Sequence, residues 1–470
     1  MRLFDKRFGT KPWGGPMKGL TQGRGDAGTR RLADRIGSGT ITPSPRHPVT
    51  LSPRHFFLVL SISLVWLAQA GCELSATSGG GGSGATRSDG KSAAVPSKKN
   101  RKPVDFANEK LGPPGLASWA SFRNGNTQLG VAGSSLPKQL ELLWKIDTKY
   151  GVSATAAIVG KRVYAGTING DLLCVEKQSG TEIWSYRSID DSDPEKFAPA
   201  FKTAPRVTAD AVFVGDEDGI LHAVNRKTGK KKWTFPTNGE ISGCPAIVGE
   251  KLIFGSHDSF LYCLNAEDGA EIWKFQTQDR INGSSAVIGK YTFVAGCDEH
   301  LRVIDFEGGT EESGIPLESP LLASPAVMGD MLYVGTHGGQ VLAINWKTEE
   351  IVWHYGPDED PYNASAAVTD KYVVVGSEDK KVHCIDRKTG EGVWTFTTRS
   401  QVNSSPVVVG NRVFFGSNDH HLYGVSLSGG KELWKYDLEK TITAGPAVGE
   451  ECLVIGTEGS NGAIYCFGKK

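Results

Sequence analysis

The side chains that could do chemistry in this chain are spread at a regular interval along it and are not gathered into one cluster. Cys174, Cys263, Cys384 and Cys466 fall at one position of a repeating unit, where other units carry Ala223, Ala343 or Gly424. A position that accepts Cys, Ala or Gly is a tight buried slot, so these thiols are expected to pack and not to bind metal. Cys244, Cys297 and Cys452 occupy other repeat positions that usually hold small residues. No C-x-x-C spacing of a zinc site and no adjacent Cys-Cys pair occurs. His222 and His383 replace Tyr262, Tyr423 and Tyr465 at one position and read as strand-surface residues. His257, His300, His337, His420 and His421 fall in turns. Neither a Ser-His-Asp set nor a phosphate-cradling loop is visible, because the glycines punctuate turns. Carboxylates are dense only between Ile189 and Lys196 (IDDSDPEK), which reads as a solvated insert. A calcium site would need several that converge, and no metal is expected.

One polar set is left. Ser153, Lys202, Ser242, Asn282, Leu322, Asn363, Asn403 and Thr443 each open the first strand of a unit. In a radial assembly they line the channel mouth. Lys202, Ser242, Asn282, Asn363, Asn403 and Thr443 are therefore the candidate ligand-binding residues, against the plainer reading that channel water wets them.

The elements that would place them follow from the repeat. Tryptophans stand at 144, 184, 233, 273, 353, 394 and 434, mostly 40 or 41 residues apart. The step from 184 to 233 is lengthened by the acidic insert, and the long step from 273 to 353 spans a unit that has lost its tryptophan near Ser313. A typical unit, SPVVVGNRVFFGSNDHHLYGVSLSGGKELW, parses into four short apolar or alternating segments divided by turn residues. Four antiparallel strands per roughly 40 residues, repeated radially, make a β-propeller. The fold class is all-β, an eight-bladed propeller of four-stranded antiparallel blades. Trp144 in Leu-Leu-Trp-Lys-Ile has the character of a fourth strand, while the last unit stops at Phe467 after its third. The N-terminal strand is thus expected to complete the last blade and leave no open edge.

The propeller is assigned to residues 113–470. Upstream, Phe56–Ala68 (FFLVLSISLVWLA) is a 13-residue apolar run, about 20 Å long as a helix and suited to a signal peptide. Ala70-Gly71-Cys72 follows, and then a Gly/Ser-rich and basic stretch over 72–112 that is too polar to bury a core. Cys72 is the expected lipidation site, giving a membrane tether through a lipid anchor and a periplasmic, outer-membrane or cell-surface location. An ordinary A-x-A cleavage at Ala68-Gln69-Ala70 is the alternative. Initiation is expected near Val49 or Leu51, with 1–48 a gene-model artefact or else a disordered extension. The 470-residue chain carries no net charge. Residues 1–71 hold 11 of its 52 basic and 3 of its 52 acidic residues, so the rest is net −8. Binding to nucleic acid is not expected of such a surface.

The unit Asp386-Arg-Lys-Thr-Gly390-Glu-Gly-Val-Trp394 resembles the pyrroloquinoline-quinone-like (PQQ-like) repeat. The opening Trp119-Ala-Ser-Phe-Arg-Asn-Gly-Asn is similar to the start of bacterial propellers of that superfamily. The resemblance covers about 115–467 and implies the fold derived above. It also implies two functional branches: quinone- and calcium-dependent dehydrogenases, and non-enzymatic lipoproteins of outer-membrane protein assembly. The dehydrogenases resembled are longer, with loops that build a cofactor cavity, and many join adjacent cysteines. Connections here are short. The reading is therefore a non-catalytic, monomeric scaffold that binds an unidentified protein partner, with no cofactor. A PQQ-dependent dehydrogenase and a carbohydrate-binding surface protein are the alternatives.

Overall fold

A computed structural model describes residues 111–470 apart from 112, 113, 116, 192, 194 and 358. Cys72, the apolar segment 56–68 and all but the end of the stretch 72–112 lie outside the described residues. Thirty-two strands form eight four-stranded sheets, each antiparallel and ordered as nearest neighbours. The chain is an eight-bladed β-propeller. Blade 1 is built from Ala157–Val159, Arg162–Gly166, Asp171–Glu176 and Glu182–Arg187. Blades 2 to 7 follow at 206–236, 246–276, 286–316, 326–355, 367–397 and 407–437. Second strands such as Arg162-Val-Tyr-Ala-Gly166 are buried throughout, because neighbouring blades cover both faces. Fourth strands alternate between exposed and partly covered residues, as outer edges do.

Blade 8 closes the ring. Its first three strands are Ala447–Gly449, Cys452–Gly456 and Ala463–Gly468, and the fourth is β1, Glu141–Asp147. The register sets Leu142 opposite Phe467 and Lys145 opposite Tyr465. The expected closure is therefore the one formed.

The segment before β1 has a role that periodicity could not show. It winds once around the ring axis and binds the backbone of the second residue in the first strand of blade after blade. Trp119 exchanges two bonds of 2.8 Å with Ile158, and the carbonyl of Ala120 accepts from Val207 N–H at 2.8 Å. Asn126 donates its side-chain amide to the Ile247 carbonyl and accepts from Val287 N–H. Thr127, Leu129 and Gly130 accept in turn from Val327, Val368 and Val408 at 2.9–3.0 Å. Blades 1 to 7 are met in chain order, and the segment then runs on into blade 8. At its centre Arg123, 1% exposed and at φ 56°, donates to the carbonyls of Pro406 (2.6 Å) and Ala366 (2.7 Å).

Seams between blades are built from the repeat itself. In each fourth strand of blades 1–7 a β-bulge skips the residue before the tryptophan position, which turns the next side chain toward the following blade. In blades 1, 2, 3, 5 and 6 the indole packs on the glycine of that following blade's third-to-fourth-strand turn, and its N–H donates to a carbonyl there. Trp184, for example, donates to Arg226 O at 3.1 Å, and a Cβ at Gly229 would lie 2.7 Å from its ring. That glycine has φ 71°, so the turn also requires it for conformation. Opposite the tryptophans sit the slot residues: Cys174 faces Trp184, Cys263 faces Trp273, Cys384 faces Trp394 and Cys466 faces Trp144. All four thiols are fully buried, and burial pushes those of Cys263 and Cys384 up to about 12. They are packing groups, as the slot required.

Expectations for four histidines need correcting. His300 and His421, expected in turns, open the strands His300–Asp305 and His421–Ser426. His222 and His383 are not surface residues but are 1% and 6% exposed. His222 bridges Asp216 (2.9 Å) and the Tyr186 hydroxyl (2.9 Å), and His383 bridges Asp379 (3.0 Å) and the Tyr355 hydroxyl (3.1 Å). Blades pack face to face, so a third strand has no solvent side.

Candidate functional site

Looking down the first strands, the channel has three tiers. The upper tier is the mouth, made of the residues singled out from sequence. They stand four residues before the first strands, which begin at Ala157, Arg206 and Ala246 in blades 1 to 3, and so not on the strands themselves. Ser153, Lys202, Ser242, Asn282, Leu322, Asn363 and Thr443 line one cavity of about 180 Å³. Asn403 holds the equivalent place in blade 7 but is outside the lining, and its Oδ1 is buried without a hydrogen-bond partner among the described residues.

Two residues below comes a belt of small side chains. Backbone N–H groups of Cys244, Ser284, Ser324 and Ser365 donate to the hydroxyls of Ser284, Ser324, Ser365 and Ser405 at 2.7–3.0 Å. Each hydroxyl thereby joins one blade to the previous one. The floor is Phe122, carried by the winding segment beside Arg123. Burial, with no carboxylate beside it among the described residues, pulls the Arg123 guanidinium down to about 9, which leaves it charged at neutral pH.

The mouth residues are held by partners that the sequence reading missed. Lys202 meets Glu217 at 3.0 Å, Ser242 meets His257 Nε2 at 3.0 Å, and Asn282 donates to Cys297 Sγ at 3.0 Å. Asn363 donates to Glu378 at 2.9 Å, and Thr443 donates to Glu458. Every partner lies 15 residues on, two residues past the end of the second strand of the same blade. That constant spacing is the signal that could have revealed the second ring. Glu240 adds a contact of 3.7 Å to Lys202, and Gln401 donates to Glu378 at 3.1 Å. Burial works against the Lys202 charge, but the hydrogen bond it donates to Glu217 and the field of Glu240 outweigh it and raise its pKa. Burial lowers that of His257, which favours the neutral ring beside Ser242.

This geometry does not fit a quinone with three carboxylates and a calcium ion. The one lysine of the lining is already shared by two carboxylates, and Glu378 and Glu458 add negative charge around the mouth. Among the described residues no group of three or more His, Cys, Asp or Glu could hold a metal ion. At 180 Å³ the cavity is also below the roughly 300–1,000 Å³ of small-molecule sites.

Known proteins agree on the fold and divide on the function. The family model for "Outer membrane protein assembly factor BamB" matches residues 137–273, 257–365 and 357–461. The chain belongs to this family. Among curated relatives of this BamB-type chain, the quinohemoprotein alcohol dehydrogenase ADH IIB of Pseudomonas putida is 31% identical over 102 residues, covering 20% of this chain and 14% of that protein. The outer membrane protein assembly factor BamB of Xanthomonas campestris pv. campestris is 26% identical over 113 residues, 23% of this chain and 28% of that one. The chain thus spans between a seventh and somewhat over a quarter of the length of these relatives. In three dimensions it is similar to BamB from Moraxella catarrhalis (TM-score 0.59, 16% identity, 71% of this chain and 98% of that chain). It is also similar to the quinohemoprotein alcohol dehydrogenase from Comamonas testosteroni (TM-score 0.65, 12% identity, 75% and 81%). At these identities the likeness is one of fold.

Proposed function

We propose that this chain is an exported, non-catalytic scaffold that binds a protein partner in outer-membrane protein assembly, tethered to the membrane through lipid on Cys72. The observation that carries the reading is the double ring at the mouth. The side chains best placed to hold a cofactor are spent on one another, Lys202 on Glu217 and Glu240 and Asn363 on Glu378. Such a ring is a framework, and its binding energy resides on broad outer surfaces. The acidic insert adds one such feature. Asp190 reaches Lys231 and Asp191 reaches Lys196, while Phe197 beside them is 74% exposed.

Purified protein incubated with pyrroloquinoline quinone and calcium is expected to show no stoichiometric binding and no dye reduction with simple alcohols or sugars. Crosslinking in membranes is expected to capture a component of outer-membrane assembly. The acidic-insert variant Asp190→Lys/Asp191→Lys/Asp193→Lys is expected to weaken that capture with little change in melting. Cys72→Ala is expected to move the protein to the soluble fraction. Calcium-dependent turnover would establish the second reading, a PQQ-dependent dehydrogenase, which the match to the Pseudomonas enzyme favours.

A further inference from the structure

The seam between blades 7 and 8 departs from the regular repeat and carries a groove. In a regular seam the indole meets the turn joining the third and fourth strands of the next blade. Blade 8 has no such turn, because its third strand is Ala463–Gly468 and its fourth is β1. Trp434 therefore donates instead to Leu140 O, at 3.2 Å, on the segment entering β1. Beside this contact lies a groove of about 470 Å³, within the roughly 300–1,000 Å³ of ligand sites. Trp434 and Phe414 line it, Leu433 on its rim is 52% exposed, and Gly424, in the slot where other blades carry Cys, Ala or Val, adds no side chain.

Two cations, Lys138 and Arg412, also line this apolar groove. Among the described residues neither has a carboxylate partner. Arg412 donates to the carbonyls of Leu136 (2.7 Å) and Pro137 (2.8 Å), and its guanidinium carbon lies 5.2 Å from the Phe414 ring centre. Carbonyls fix the orientation of a guanidinium without neutralising it. Glu141, close by in sequence, is taken by Lys470 at 3.8 Å. An aromatic surface with two uncompensated positive charges is complementary to an apolar group bonded next to an anion.

We propose that this groove binds a partner segment in which an apolar side chain stands beside a carboxylate. The apolar group lies on Trp434 and Phe414 against Leu433, and the carboxylate faces Lys138 and Arg412. The site is separate from the channel mouth and stands whether or not the scaffold reading does.

The Trp434 indole N–H resonance, assigned by its loss in Trp434→Phe, reports occupancy in protein labelled with ¹⁵N-tryptophan. N-acetyl-phenylalanine is expected to shift it saturably, and the uncharged amide of the same compound to bind at least about fivefold more weakly. Lys138→Gln, at a residue whose side chain makes no ion pair, is expected to weaken the acid about threefold or more and leave the amide unchanged. Leu433→Glu is expected to weaken both. Equal binding of acid and amide, tighter binding of phenethylamine, or no shift with any of the three would overturn the proposal.

Discussion

At the seam between blades 3 and 4, Trp273 donates its indole N–H to Phe306 O at 3.3 Å, and a Cβ on Gly309 would lie 2.5 Å from its ring. One seam further on, both halves of that clasp are absent. Blade 4 carries Ser313 where the tryptophan belongs, opposite Val303, and its buried hydroxyl has no partner among the described residues. Blade 5 carries Glu349 at φ 62° in place of the turn glycine, a conformation that costs a side-chain-bearing residue about 1 kcal/mol or more. Trp346 of blade 5 reaches back instead. Its ring lies 5.3 Å from that of Phe293 in blade 4, where the missing indole would have packed, but its N–H goes to Gly329 O of its own blade. Packing crosses this seam and the hydrogen bond does not. The tryptophan and the glycine are one unit: when the first is lost, the second has nothing to make room for.

The closure seam sets the upper end of the scale. Deleting residues 140–147 removes β1 and bares the edge of Ala463–Gly468, so cooperative melting should vanish or give way to aggregation. Wild-type-like calorimetric unfolding would mean that closure does not depend on this strand. Next in size, Trp346→Ala should cost about 3–5 kcal/mol in denaturant titration, as large buried aromatics do, and Trp273→Ala, at a partly buried indole, about 2–3 kcal/mol. A cost below about 1 kcal/mol for Trp346→Ala would show that it does not replace the missing indole.

The comparison is sharpened by rebuilding the clasp. Ser313→Trp alone should destabilise by about 1–3 kcal/mol, because Trp346 already fills the space. Combined with Trp346→Leu and Glu349→Gly it should return to within about 1 kcal/mol of wild type. The smallest effect contrasts blades that differ inside the third strand. Burial opposes ionisation of Asp379, but hydrogen bonds from His383 and Lys381 hold its carboxyl well below the usual range. Its stabilising share is therefore complete above about pH 4 and is lost as pH falls through its lowered pKa. The stability gap between wild type and Asp379→Asn, about 1 kcal/mol or less after solvent screening, should shrink between pH 5 and pH 2.

The regular part of this architecture was legible in the sequence. Tryptophans about 40 residues apart, turn glycines such as Gly390 and the fourth-strand character around Trp144 gave blade count, topology and closure. Trp346 escaped because it lies outside the register of the others and is intelligible only beside the loss at Ser313. The segment 119–132 escaped because it binds through backbone groups, which no side-chain pattern records. At the mouth, Lys202 and Asn363 were legible as a ring, but Glu217 and Glu378 belong to a different element, and a constant offset of 15 residues was the one trace of their return to it. The burial of His222 was hidden for a related reason: alternation tells which face a residue takes, not that both faces are covered.

Hydrogen exchange under native conditions tests most directly whether the indole–glycine clasp holds the blades together. Peptides covering Glu311–Pro316 and Ala326–Met328, across the seam without a clasp, are to be compared with those covering Glu271–Gln276 and Ala286–Ile288 across a clasped one. The clasp account predicts exchange at least about tenfold faster at the first pair, with the triple variant Ser313→Trp/Trp346→Leu/Glu349→Gly bringing it level with the second. Equal protection at the two seams in the wild-type protein would contradict it.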